Sequence, residues 1–175
     1  LATHEGVDIR TELRTEGFIY ATISTFEDDV ESVKPIRKLN AKGTDILIRN
    51  GYEDPYGDLR YTESGEMKGP SEFNDICCLD NDVYYALDTK RGRIFAYDFQ
   101  GNMLYAFGGH GYKSGYFMGP SAIEDIGDSL LVLDEKLGTV TQFTLTEYGK
   151  LLHRKSAVFF KGSKKFFHIS FSFID

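Results

Sequence analysis

Residues 88–94 read DTKRGRI, and residues 134–140 read DEKLGTV. The two stretches match in the pattern Asp-x-Lys-x-Gly-x-(Ile/Val). Each follows directly on an apolar run, Val83–Leu87 in the first copy and Leu130–Leu133 in the second. An apolar run that ends at Asp and is followed by a glycine turn predicts a strand that turns back into a second strand. We therefore interpret the two stretches as equivalent turns of an internal repeat.

The repeat extends in both directions from these turns. Upstream, Gly69-Pro70-Ser71 recurs as Gly119-Pro120-Ser121 at a spacing of 50 residues, and an apolar run follows each motif. Downstream, Ile94–Asp98 and Val140–Thr144 are predicted to be the next strand of each copy. A looser third copy lies near the start of the chain, and its predicted strands are Phe18–Thr22, Ile36–Asn40 and, outermost, Thr44–Ile48.

Repeats of about 45 to 50 residues with four short strands each are typical of β-propeller blades. The sequence therefore predicts an all-β fold of β-propeller blades, each with four antiparallel strands. About three blades are expected, over residues 1–50, 51–108 and 109–148. Closed propellers have about four to eight blades, so the propeller is expected to be incomplete. Residues 149–175 form a basic, Phe-rich tail that is expected to be a short helix at its start or irregular.

The repeat resembles the NHL repeat. The resemblance covers residues 69–147 closely and residues 1–68 more loosely. It rests on Gly-Pro-Ser, a tyrosine-rich strand ending at Asp88, the run Arg93–Asp98, the turn Gly101-Asn102 and the closing Phe107-Gly108-Gly109. Membership of this family implies a β-propeller that serves as a platform for binding.

A narrower resemblance is to bacterial proteins that carry an NHL propeller, tetratricopeptide helices and a Yip-type membrane segment. It rests on three strings: Ile36–Asn40, Asp58–Thr62 and Thr146–His153. In those proteins the part after Gly149 is helical, whereas this sequence departs from theirs after Gly162 and lacks the tetratricopeptide and membrane portions. The resemblance implies an extracytoplasmic, membrane-tethered location only for a longer parent chain, and the residues do not predict the compartment of this chain.

Charge and composition exclude several classes of function. The chain has a net charge of -7, with -12 on residues 1–148 and +5 on the tail, and an acidic body repels nucleic acid. The only two cysteines, Cys77 and Cys78, are adjacent, which gives neither a disulfide framework nor a Cys-x-x-Cys redox motif. The four histidines do not fall at ligand spacing, so the sequence predicts no metal and no cofactor.

The repeat assigns two kinds of candidate residue. Asp88, Gly92, Asp134 and Gly138 occupy matching positions, and a duty shared by every blade is structural, so we predict that the carboxylates accept hydrogen bonds from the turn that follows. The first turn and the neighbouring loop also carry cationic and aromatic residues that predict a binding surface, namely Lys90, Arg91, Arg93, Tyr112 and Tyr116. The glycine-rich run Gly108–Gly115 contains Lys-Ser but leads into a strand, so it does not predict a phosphate-binding loop.

The sequence thus favours a non-catalytic propeller scaffold that binds a protein or small ligand of unknown identity. The alternative is a metal-dependent propeller enzyme of the lactonase or lyase type, whose ligands would come from inner strands that here carry Asn74, Asp75, Glu124 and Asp125. Open blade ends expose the apolar face of a sheet, so the chain is expected either to be a fragment of a six-bladed protein or to associate with a second copy. The missing initiator Met favours a fragment.

Overall fold

The computed structural model describes residues 9–13, 19–23, 34–49, 55, 57–58, 71–79 and 83–156. This part of the chain contains ten strands and one helix. They are β1 (Ile9–Leu13), β2 (Ile19–Ile23), β3 (Ile36–Leu39), β4 (Phe73–Leu79), β5 (Val83–Asp88), β6 (Arg93–Tyr97), β7 (Met103–Gly108), β8 (Pro120–Ile126), β9 (Ser129–Asp134), β10 (Thr139–Thr144) and α1 (Glu147–Ser156). The Phe-rich remainder of the tail, residues 157–175, lies outside the described residues.

The strands form three antiparallel sheets that follow one another along the chain. The first sheet has the order β1-β2-β3, the middle sheet β4-β5-β6-β7 and the third sheet β8-β9-β10. Strand β4 packs beside β1 on one side and beside β8 on the other, so the first strands of the three sheets lie next to each other. Up-and-down sheets repeated in this way are the arrangement of consecutive propeller blades. The all-β prediction is therefore confirmed, and the middle sheet is a complete blade of four strands.

The middle sheet is buried on both faces. All six residues of β5 are buried, and its successive side chains alternate between the two neighbouring sheets. Tyr85 and Leu87 pack in the cluster shared with the third sheet, whereas Tyr84 and Ala86 pack in the cluster shared with the first sheet. This two-sided burial explains why β5 is a continuous apolar run in the sequence rather than an alternating one.

The repeat register in the structure differs from the one predicted from Gly-Pro-Ser. A β-bulge brings Phe73 opposite Asp88 in the middle sheet and Pro120 opposite Asp134 in the third, which makes the first residues of β4 and β8 equivalent at a spacing of 47 rather than 50. Ser71 therefore precedes β4, whereas Ser121 lies inside β8. The strand pairing fixes the register, and the similarity of two Gly-Pro-Ser motifs does not.

The predicted outermost strand Thr44–Ile48 of the first sheet is not a strand. Only an isolated bridge between Leu39 and Asp45 is formed there. The Asp45 carboxylate accepts hydrogen bonds from the backbone N–H of Lys38 at 3.3 Å and of Leu47 at 3.0 Å. These backbone donors are thereby satisfied by a side chain, and the segment curls instead of extending a ladder.

The predicted short C-terminal helix is α1, which follows the third sheet directly. It begins after Thr146, whose hydroxyl accepts the backbone N–H of Gly149 at 3.1 Å and so caps the first turn. In chain order, α1 comes after the third strand of the third sheet, the position that the fourth strand β7 has in the middle sheet. Among the described residues no helix has both the length and the hydropathy that crossing a membrane requires.

Candidate binding surface at the repeated turns

The two repeated turns are held by their Asp carboxylates. Asp88 Oδ1 accepts the backbone N–H of Arg91 at 2.9 Å, and Asp134 Oδ1 accepts that of Leu137 at 3.1 Å. Each turn closes through a glycine with a φ of +64°, Gly92 in the first and Gly138 in the second. Since L side chains rarely adopt this backbone conformation, the glycines allow the tight reversal between the two strands.

Asp134 has a second task that Asp88 does not share. It also accepts the backbone N–H of Met118 at 2.7 Å and of Gly119 at 3.0 Å, and so ties the segment before β8 to the turn after β9. Burial acts to raise the pKa of Asp134, but its backbone hydrogen bonds outweigh burial and the pKa lies below its ordinary value. The carboxylate is therefore ionised at neutral pH, although the residue is only 1% exposed.

The three predicted cations of the first turn are each paired with a carboxylate. Arg91 bonds Asp88 at 2.7 Å, and its side chain is only 14% exposed. Arg93 bonds Asp58 at 2.8 Å, and Lys90 bonds Glu72 at 2.6 Å while its side chain stays 66% exposed. Their charges are thus largely compensated within the chain, and Lys90 is the one most accessible to a partner.

The loop Gly109–Gly119, here called the tyrosine loop, packs against the first turn. His110 Nε2 donates to the carbonyl oxygen of Lys90 at 2.6 Å. Inside the loop, the N–H of Phe117 donates to the carbonyl of Gly109 at 2.9 Å, and the N–H of Gly111 donates to that of Phe117 at 3.0 Å. The Phe117 ring is buried in the cluster between the middle and third sheets. The loop is therefore anchored at both ends.

The anchored loop presents its tyrosines to solvent. Tyr112 is 82% exposed and Tyr116 is 43% exposed. Tyr116 also lies over Gly109, where a β-carbon would stand 2.6 Å from the ring, so a larger residue there would displace the Tyr116 side chain. The structure thus brings the predicted residues of the first turn and those of the loop into neighbouring segments of one surface.

Two further lysines belong to this surface and were missed by the sequence prediction. Lys113 is exposed in the tyrosine loop, and Lys136 is exposed in the second turn, where its aliphatic chain covers Gly119. No carboxylate of the described residues pairs with either. Lys136 matches Lys90 in the repeat, and that match was the available signal. We call Lys90, His110, Tyr112, Lys113, Tyr116 and Lys136 the rim surface.

The inner-strand side chains that could serve a metal enzyme form hydrogen bonds within the chain. Asp75 Oδ2 accepts the N–H of Ile123 at 2.9 Å and so joins β4 to β8, and Asn74 accepts a hydrogen bond from the hydroxyl of Thr89. Glu124 Oε1 accepts the N–H of Asp125 at 3.1 Å. Among the described residues, no three His, Cys, Asp or Glu side chains are grouped so that they could hold a metal ion.

A buried polar cluster attaches α1 to the middle sheet. His153 Nε2 hydrogen-bonds the hydroxyl of Tyr105 at 2.7 Å and that of Tyr85 at 3.2 Å, and the two hydroxyls bond each other at 2.7 Å. Burial lowers the pKa of His153 to about 4, so the ring is neutral at pH 7. Because His153 lies on the buried side of α1 and bonds two tyrosines of the middle sheet, we interpret it as a structural anchor.

Comparison with known proteins gives a limited result. No protein-family model matches the chain, and no curated protein sequence matches it. Among solved structures, selenomethionine-substituted virginiamycin B lyase from Staphylococcus aureus is similar at 14% identity and a TM-score of 0.35, over 85% of this chain and 59% of that one. A catalytically inactive variant of the same lyase with quinupristin is similar at 13% identity and a TM-score of 0.29, over 82% and 72%. This chain thus spans less than two thirds of the first of these structures.

Proposed function

We propose that this chain is a non-catalytic scaffold of the NHL propeller type, which binds an acidic peptide segment of a partner protein through its rim surface. The observation that carries the proposal is the tyrosine loop: it is anchored at both ends and yet presents Tyr112 with 82% of its surface exposed. A large aromatic side chain held in water by a fixed loop is the usual form of an interface anchor, since little conformational entropy is lost when it binds.

The charge of the rim surface supports an acidic partner. The whole chain carries -7, but Lys113 follows Tyr112 in the tyrosine loop and Lys136 covers Gly119 at the end of that loop, and neither has a carboxylate partner among the described residues. Of the acidic side chains in the two turns, Asp88 and Asp134 are buried and accept hydrogen bonds, which leaves Glu135 as the exposed carboxylate there. Local positive potential on an otherwise acidic protein steers acidic segments toward this surface.

The framework beneath the rim supports a scaffold rather than a moving element. Asp134 ties the tyrosine loop to the second turn, and His110 ties the loop to the first turn. The rim is therefore preorganised by bonds to both turns, and preorganisation reduces the entropic cost of binding.

The test is the binding of a fluorescein-labelled decapeptide of Glu and Leu, measured by fluorescence anisotropy at low salt. Wild-type protein is expected to bind it, and to bind a decapeptide of Lys and Leu at least about tenfold more weakly because the rim is cationic. Tyr112→Ala and the pair Lys113→Glu with Lys136→Glu are each expected to weaken binding by about tenfold or more.

Lys42→Glu is the matched control, because Lys42 is an exposed lysine in the turn after β3, away from the rim sequence segments. Paired with Lys34→Glu, at an exposed lysine just before β3, it makes the same change in net charge as the double rim variant and is expected to alter binding by less than about twofold. Equal effects of the control and the rim variants would show that only net charge matters, and the proposed site would be wrong.

A further inference from the structure

The third sheet has an apolar face that no described residue covers. Leu130, Val132 and Phe143 point into the cluster shared with the middle sheet. Alternate residues point the other way, and among them Ile126 is 58% exposed and Val140 61% exposed. Leu131 and Leu133 point to the same side as Ile126 and Val140. We call this side the free face of the third sheet.

The free face corresponds to a face that is covered one repeat earlier. In the middle sheet Leu87 pairs with Ile94, and in the third sheet Leu133 pairs with Val140 at the matching positions. Leu87 and Ile94 are both fully buried against the third sheet. The free face therefore has the pattern of a surface onto which another sheet packs in the same way.

The first sheet also has a face that points away from the middle sheet, and we call it the free face of the first sheet. Tyr20 and Ile36 point into the cluster shared with the middle sheet. The alternate positions in the ladder between β2 and β3 include the pairs Ile19 with Leu39 and Ala21 with Arg37. Of these four residues, Arg37 is exposed, Ile19 and Leu39 are half-buried and Ala21 is 4% exposed, so the described part of this face is apolar with one cation.

The two free faces carry opposite charges. On the third sheet, exposed Glu124 of β8 pairs with Leu131 of β9. The neighbouring pairs on the same face contain Leu133 on one side and Ile126 on the other. Among the described residues of the first sheet's free face, the exposed charge is that of Arg37. Two apolar faces, one with a carboxylate and one with a guanidinium, attract each other, whereas two copies of the same face place like charges together.

We propose that the free face of the third sheet docks on the free face of the first sheet of a second copy of this chain. The reverse contact forms at the same time, so that two chains of three sheets close a ring of six. A ring of six lies within the about four to eight blades that close a propeller, and closure removes both exposed faces.

The first measurement is sedimentation equilibrium of the 175-residue chain at micromolar concentration. We expect twice the mass of one chain. Val140→Asp, on the free face of the third sheet, and Arg37→Glu, on that of the first, are each expected to shift the mass toward that of one chain. Far-UV circular dichroism and the unfolding midpoint of each variant establish that it is folded, and Lys42→Glu is the control that leaves the mass unchanged.

A mixture of the two variants is the decisive experiment. Val140→Asp retains an intact first-sheet face and Arg37→Glu retains an intact third-sheet face, so the mixture can form one unaltered contact and is expected to regain association that neither variant shows alone. A monomeric wild-type chain would overturn the proposal, because the free face of the third sheet would then not bind a second copy. Assembly into open fibres, or a dimer that Arg37→Glu leaves intact and Val140→Asp abolishes, would overturn it as well.

Discussion

Replacement of Asp134 by Ala is expected to lower the free energy of unfolding by about 3 kcal/mol. The carboxylate accepts three backbone N–H groups, those of Met118, Gly119 and Leu137, at 2.7, 3.0 and 3.1 Å. A hydrogen bond to a charged group contributes about 1.5 to 3 kcal/mol, and bonds to one carboxylate are not additive, so the sum lies well below three full contributions. Asp88→Ala removes one backbone acceptor contact and one ion pair, and is expected to cost about 1 to 2 kcal/mol.

The assay is urea unfolding followed by circular dichroism at pH 7, with two comparison variants. Asp134→Asn keeps an oxygen for Gly119 and Leu137 but loses the acceptor for Met118, so about half of the effect is expected. Asp128→Ala is the matched control, because its side chain is 75% exposed and, within the part of the chain that the structure describes, is paired only with Lys150, at 3.5 Å. A change within about 0.5 kcal/mol is expected.

The same carboxylate predicts an acid dependence of stability. The pKa of Asp134 is lower in the folded chain than its ordinary value of 3.8. Its contribution is therefore fully present above pH 3.8 and is lost as the pH falls through the lowered folded pKa. Asp134→Ala should lose less stability than wild type over that acid range. If Asp134→Ala matches Asp128→Ala at pH 7, the role assigned to the repeated aspartates is wrong.

Gly92→Ala and Gly138→Ala each place a β-carbon at a φ of +64° and should lower the free energy of unfolding by about 1 kcal/mol. The loss should be larger at Gly92, because the carbonyl oxygen of Gly109 lies 2.9 Å from the added carbon while the space at Gly138 is open. Equal losses would contradict this explanation. For His153, the folded pKa of about 4 lies below the ordinary 6.5, so the unfolded chain binds more protons and wild type should lose about 2 kcal/mol between pH 7 and pH 5, measured by urea unfolding. His153→Gln should show about 2 kcal/mol less pH dependence over that range, and an unchanged slope would show that the ring is not neutral and buried.

The parts of the fold that the sequence predicted are those fixed by short-range pattern. The strands and turns around Asp88 and Asp134 were predictable, since an apolar run, a carboxylate and a glycine lie within a few residues of each other. The prediction of a strand at Thr44–Ile48 was wrong because the carboxylate of Asp45 accepts hydrogen bonds from backbone N–H groups. Strand propensity does not include this competition.

Contacts between distant residues could not be predicted. Arg93 was expected to face a partner, but its bond to Asp58 spans 35 residues along the chain, and the bond between Tyr85 and His153 spans 68. Such pairs depend on how the sheets and α1 pack, which no local pattern specifies. Lys136 could have been included, because its equivalence to Lys90 is visible in the repeat.

The two-sided burial of β5 sets the order in which the protein opens. A backbone amide of β5 exchanges with solvent only after the sheet on either side has separated and the ladder to β4 or β6 has broken. Amides of β10, at the edge of the third sheet, need only that edge to fray. Deuterium uptake should therefore begin at the edge strand β10, and β5 should retain its protons until the whole chain unfolds.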